Sequence, residues 1–127
     1  MIAGIGVDLV DKTRIDRLLA QYGDHFVRRV LNAEERSHFE RSARKGWFLA
    51  NRFAAKEAIS KALGTGLRYP VTLHSVGVIS NSMGRPEFRF SDALQTYLDS
   101  RTVTSSHLTL THEGNLVCAV VVLESSR

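Results

Sequence analysis

Cysteine is nearly missing from this chain of 127 residues, with Cys118 the one thiol. One cysteine builds neither a disulfide framework nor a zinc site, and the run Val-Cys-Ala-Val-Val-Val around it marks a small buried hydrophobe on a strand. Long apolar runs are missing too. Nothing approaches the roughly 18 residues that a membrane span needs. The opening Met-Ile-Ala-Gly-Ile-Gly-Val-Asp has no basic region and meets Asp8 early, so a signal peptide is not expected and the cytoplasm is. Aromatic residues make up 8% of the chain. Trp47, Phe48 and Phe53 fall on one apolar segment, which leaves few rings for stacking on nucleic acid. No G-x-x-x-x-G-K-[ST] loop, no G-x-S-x-G and no His/Cys cluster occurs, which removes the P-loop, the serine nucleophile elbow and the zinc site. Without repeats, linkers or low-complexity segments, residues 1–127 read as a single domain.

What is present is basic. The formal charge is +4 and the pI about 9.6, a balance that favours an acidic partner. The organising stretch is Trp47 to Gly66. It is rich in Ala, Leu, Lys and Glu, has no proline, and meets glycine only at Gly64, where a left-handed cap would end a helix. Its apolar residues, among them Leu49, Ala54, Ala58, Ile59 and Leu63, cover most of the circumference, so a central helix is expected. Arg52, Lys56, Glu57 and Lys61 stand among them, although charges are seldom buried unless paired or functional. Glu57 and Lys61, four apart, make either an ordinary surface ion pair or, with Phe53, one row lining a cleft. The second arrangement suits a metal ion beside a phosphate.

Residues 2–10 read as a strand. Ala3, Ile5, Val7 and Leu9 form an apolar face expected to meet the core, with Gly4, Gly6, Asp8 and Val10 on the other side. Two glycines ahead of an acid admit either a helix packed against them or a ligand. Asp11 caps a helix through Tyr22 with Ile15, Leu18, Leu19 and Tyr22 inward. Arg14 and Arg17 share another face, either solvated or ready to dock an acidic helix. Short turns follow to Leu31, then a helix capped by Asn32 with Glu34 and Glu35 in its first turn. Strands are expected at 76–79 and 87–90, and Ser91 caps a short helix with Ala93, Leu94, Tyr97 and Leu98 inward. The hairpin of His107–Glu113 and Leu116–Leu123 turns at Gly114-Asn115. His112 shares a side with Leu108 and Leu110, as a satisfied core histidine or as a ligand-facing one. The expected class is α+β, a small, mainly antiparallel sheet wrapped around a long central helix.

Elimination leaves Asp8 on a glycine-lined strand, Glu57 on a basic helix, and lysines and arginines nearby. Two hard carboxylates, completed by waters and phosphate oxygens, form a typical magnesium site, and lysines beside it would neutralise a phosphoryl group in transfer. The segments G-I-G-V-D at 4–8, R-F-A-A-K-E-A-I-S-K-A-L-G-T-G at 52–66, G-R-P at 84–86 and T-H-E at 111–113 together resemble the holo-acyl-carrier-protein synthase family. These are the small 4′-phosphopantetheinyl transferases. The likeness runs nearly the whole chain in order. One departure is Thr111, where the family usually has serine, and both side chains carry a hydroxyl.

The resemblance implies transfer of the phosphopantetheine arm of coenzyme A to a serine of an apo acyl carrier protein. Adenosine 3′,5′-bisphosphate is released, and the holo carrier serves fatty acid or polyketide synthesis. It implies Mg²⁺ on Asp8 and Glu57, with Glu57 and Lys61 as the catalytic pair. Lys61, Arg52, Lys56, Gly64, Thr65, Gly66 and His112 are expected to hold coenzyme A. Arg14 is expected to dock the carrier, with Arg17 added from its place on the same face. A homotrimer with sites at subunit boundaries is the implied assembly. The alternative from a different class is a non-catalytic basic module that binds nucleic acid or an acidic protein. It leaves Asp8 and Glu57 without a role.

Overall fold

The apolar helix expected at the centre is there. It runs from Lys45 to Leu63 as α4 and buries Leu49, Ala54, Ala58, Ile59 and Leu63. Gly64 ends it in the left-handed region at φ 74°, its amide turned back on the Lys61 and Ser60 carbonyls. The computed structural model describes residues 1–126. Before α4 come β1 (Ile2–Asp11), α1 (Lys12–Tyr22), α2 (Asp24–Val30) and α3 (Ala33–Glu40). After it come β2 (Val76–Ser80), β3 (Pro86–Phe90), α5 (Asp92–Ser100), β4 (Val103–Glu113) and β5 (Leu116–Ser125). One antiparallel sheet has the order β1-β5-β4, and β2 with β3 forms a separate antiparallel pair. This is the expected α+β arrangement.

Local signals set the element ends. The Asp11 carboxylate accepts from the Thr13 amide at 2.9 Å and starts α1. Asn32 and Glu35 cap α3 reciprocally, each side chain accepting from the other's backbone amide. The Ser91 hydroxyl accepts from the Leu94 amide at the start of α5. Each device satisfies amides that the first helical turn leaves without partners.

On β1 the expected faces are reversed. Ile5, Val7 and Leu9 point outward and are 58%, 49% and 61% exposed, while Gly6 and Val10 are buried toward α4. The reason is steric. A Cβ on Gly6 would overlap the Ala58 carbonyl oxygen, and one on Gly4 that of Ala62. The helix backbone lies directly on the strand backbone, so the face with least bulk takes the contact, whatever the hydrophobicity of the other. Of the two readings of the glycines, helix packing is the one the structure shows.

The outward residues continue an apolar row across the sheet, with Ile5 opposite Val122, Val7 opposite Val120 and Leu9 opposite Cys118. Cys118 is therefore half-buried on the outer face rather than enclosed in the core. The inner face of β5 (Val117, Ala119, Val121 and Leu123) joins the core. Two smaller expectations also differ: Tyr22 and Ala93 are exposed, each at the edge of its helix's apolar stripe.

Candidate active site

The close seating of β1 on α4 brings the two singled-out acids and the lysine to one place. The Lys61 ammonium donates to Asp8 Oδ1 at 2.9 Å and to the Val7 carbonyl at 3.3 Å. Lys61 therefore pairs across to the strand; among the described residues no ion pair joins it to Glu57. The side chain of Lys61 is half exposed and that of Asp8 mostly covered. Hydrogen bonding to Asp8, then its charge, raises the Lys61 ammonium above its usual range, so it is cationic at any physiological pH.

Glu57 stands beside this pair. Burial, then the negative charge of Asp8, pushes its carboxyl above the usual value, and Lys61 and Arg14 pull the other way. A carboxylate whose ionisation is opposed by a neighbouring negative charge marks a place where a cation is welcome. The donors are hard oxygens on rigid elements, which fits a magnesium-type ion with water or ligand oxygens filling its other positions. Asp8 and Glu57 are the residues that could hold it. Among the described residues, no cluster of three or more His, Cys, Asp or Glu side chains offers a rival metal site.

The residues expected around a nucleotide divide. Lys56 does not belong with them. Its side chain is fully buried, and its ammonium is spent on Glu35 and on the Val30 and Leu73 carbonyls. At position 56 the helix faces α3 and β2, so a charge that looked available is enclosed. The Arg52 guanidinium carbon stands over the Phe48 ring at 3.8 Å from its centroid, and its buried Nε has no hydrogen-bond partner among the described residues. Burial lowers its pKa from the ordinary guanidinium value, and Glu35 opposes the change.

The Gly64–Gly66 loop is tight. The amides of Thr65 and Gly66 both donate to the Ser60 carbonyl, at 3.2 and 3.3 Å. These groups are spent on the helix end, so the loop offers a wall rather than an amide cradle. Gly64 and Thr65, with Arg68, Tyr69 and Tyr97, line a hollow of about 240 Å³. A larger cleft of about 500 Å³ lies between the Arg85–Phe88 segment and Ser106–Thr109 of β4, and neither Asp8 nor Glu57 lines it.

His112 is exposed, not a core histidine. Its ring meets that of Trp47 with centroids 4.8 Å apart, and Lys12 and Arg44 stand over the same indole at 5.1 and 5.6 Å. Trp47 opens α4 and Glu57 lies ten residues along it, so His112 serves a different end of the helix from the carboxylates. Arg14 and Arg17 are both exposed on α1. Arg14 is near enough for its charge to act on Glu57, which places the basic face next to the acids. Sequence reading missed Glu35 and the side of α4 it serves; the capping-box spacing was visible, its second partner 21 residues away was not.

A family model described as the 4′-phosphopantetheinyl transferase superfamily matches residues 4–121. A holo-[acyl-carrier-protein] synthase of Nitrosospira multiformis is 48% identical over 124 residues, spanning 98% of this chain and 99% of that protein. The crystal structure of the Neisseria meningitidis holo-[acyl-carrier-protein] synthase superposes with a TM-score of 0.95 at 39% identity, over 98% of this chain and 100% of that one. That of Bacillus anthracis, in complex with CoA (3′,5′-ADP), gives a TM-score of 0.82 at 37% identity over 99% of each chain. With its whole length matched in sequence and in fold, the chain belongs to the 4′-phosphopantetheinyl transferase superfamily, among the holo-[acyl-carrier-protein] synthases.

Proposed function

We propose that this enzyme moves the 4′-phosphopantetheine arm of coenzyme A onto a serine of an apo acyl carrier protein through the Asp8–Glu57–Lys61 cluster. The carrying observation is the Lys61–Asp8 contact, made across 53 residues of chain, with a partly buried Glu57 alongside. Mg²⁺, when bound by Asp8 and Glu57, would supply charge compensation for the pyrophosphate of coenzyme A and its leaving bisphosphate. Lys61 is exposed and free to exchange Asp8 for an oxygen of the transferring phosphoryl group, where its positive charge offsets the charge that develops. The serine oxygen attacks phosphorus as the P–O bond to the adenosine 3′,5′-bisphosphate breaks. Glu57, directly or through a neighbouring water, takes the serine proton; a carboxyl raised toward neutrality is better matched to that task than an ordinary one.

Arg52, with its unpartnered Nε, and His112 beside Trp47 are the groups offered to the nucleotide end, and Gly64, Thr65 and Gly66 form a wall for it. Arg14 and Arg17 present a basic face near the acids, suited to an acidic carrier. The outward apolar row of Ile5, Val7, Leu9, Val120 and Val122 supports self-association, in the reading a trimer with sites at subunit boundaries. Among the described residues no helix is long and apolar enough to cross a membrane. The proposed work is on fatty acid or polyketide carriers in the cytoplasm. The basic-module alternative would account for the net positive charge and the exposed arginines, but it leaves Asp8 and Glu57 without a role.

The test is a mass measurement. Incubation with coenzyme A, Mg²⁺ and an apo carrier should raise the carrier's mass by one phosphopantetheine. No gain with wild-type protein, or an equal gain with Asp8→Ala at limiting Mg²⁺, would overturn this reading.

A further inference from the structure

Lys56 heads the large side chains wholly shut away from solvent, and the transfer chemistry makes no use of it. Its ammonium donates to Glu35 Oε1 at 2.6 Å, and to the Val30 and Leu73 carbonyls at 2.7 Å each. Three acceptors at this range take all three ammonium protons, so the buried group is charged and saturated. Glu35 accepts in turn from the Val78 amide at 2.9 Å and from the Asn32 amide at 3.0 Å. The end of α2 and the segment after Gly66 therefore fasten directly to one side chain of α4, and the cap of α3 and the middle of β2 fasten to it through Glu35.

Lys56 is also the residue before Glu57. The two point about 100° apart around the helix, one into this lock and the other toward Asp8. On the β1 side the glycines fix how near α4 lies, through backbone contact. Such contact is tolerant of a small roll about the helix axis; a three-acceptor ammonium socket is not. Burying an ion pair commonly adds little stability over apolar residues of the same volume, so orientation is what this pair is equipped to supply.

We infer that Lys56 and Glu35 are positioning residues for phosphopantetheinyl transfer, their buried contact setting the roll of α4 and with it the approach of Glu57 to Asp8. The inference rests on the proposed role of Asp8, Glu57 and Lys61. A roll of about 10° swings a carboxylate about 5–6 Å from the axis through ~1 Å, and a misplacement of that size costs on the order of 10²-fold in rate.

The test uses the full-length protein and two variants. Lys56→Met with Glu35→Leu removes both charges and keeps the volume filled. Glu35→Gln keeps the shape and removes one charge. Each is checked for fold by circular dichroism and studied well below its melting midpoint. Mn²⁺ binding is followed by electron paramagnetic resonance, beside kcat and the KM for coenzyme A. Positioning predicts Mn²⁺ affinity weakened about tenfold and kcat lowered about 10- to 100-fold, with the KM for coenzyme A changed far less. Wild-type Mn²⁺ affinity in either folded variant overturns the inference, whatever happens to kcat. If the double variant does not fold, Glu35→Gln alone decides. Failure of the wild-type protein to bind Mn²⁺ or to load a carrier would strike the proposed site itself, a separate outcome.

Discussion

Lys56 and Lys61 stand five residues apart on α4, and each meets a carboxylate from another element, at 2.6 and 2.9 Å. They point about 140° apart around the helix. The Lys56–Glu35 pair is wholly enclosed, whereas the Lys61 side chain is 53% exposed. In the enclosed pair every proton has a fixed acceptor, so nothing is left to offer a substrate. In the open pair the ammonium can leave its carboxylate at small cost, because water and ligand oxygens replace what it gives up. Burial separates two pairs of the same functional groups: one is committed to its neighbours, and the other is open to the role proposed for it.

Breaking one member of each pair sharpens that contrast. The largest effect on stability belongs to Lys56→Met, which strands the Glu35 carboxylate in the interior. Loss of about 3–5 kcal/mol is expected, read as a fall in melting temperature; Lys61→Met should cost no more than about 1 kcal/mol. A melt equal for both would erase the distinction. For activity the order inverts. Asp8→Ala, Glu57→Ala and Lys61→Ala should each lower transfer by about 10²–10³-fold while melting near wild type, on the scale of one preorganised electrostatic contact.

A smaller effect is expected from Arg14→Glu, which leaves both pairs intact. Its carrier KM should rise by about tenfold, the scale of one repelling charge at a docking face, with little change in the coenzyme A constant. Equal losses for both substrates would remove α1 as the docking face.

The smallest effect tests the strain on Glu57. Its carboxyl is raised above the ordinary 4.5 by burial and then by Asp8, so the folded state holds this proton more tightly than the unfolded chain does. As pH climbs from that value through the folded pKa, the unfolded state releases its proton first, and stability falls. Glu57→Gln escapes the loss. In chelator, the two proteins should melt alike near pH 4 and the variant slightly higher at neutral pH. The gap is below about 1 kcal/mol because the site is partly solvated. Mg²⁺ should close it by stabilising the wild-type acids. Melting curves that stay parallel from pH 4 to 7 would show that Glu57 carries no such strain.

Much of this was legible in order along the chain. Periodicity marked α4, the caps at Asp11, Asn32 and Ser91 marked three further helices, and alternation marked the last hairpin. The acids Asp8 and Glu57 were visible as charges in apolar surroundings. The roles of individual charges were less so. Lys56 and Lys61 look alike in a one-dimensional reading, and only the angle at which α4 meets α3 and β2 separates them. On β1, hydrophobicity pointed to Ile5, Val7 and Leu9 as the inward face, and the demand for close backbone approach won. His112 shared a face with Leu108 and Leu110, yet it lies beyond the covered part of the sheet against Trp47.

By itself the sequence determined the elements, their order, and the one strand bare enough to admit a helix backbone, because these depend on neighbours within a few residues. Tertiary structure alone decided which lysine is sealed, which strand face looks outward, and that Asp8 meets Lys61. Those outcomes turn on volume and distance between segments tens of residues apart, and local pattern carries no information about either.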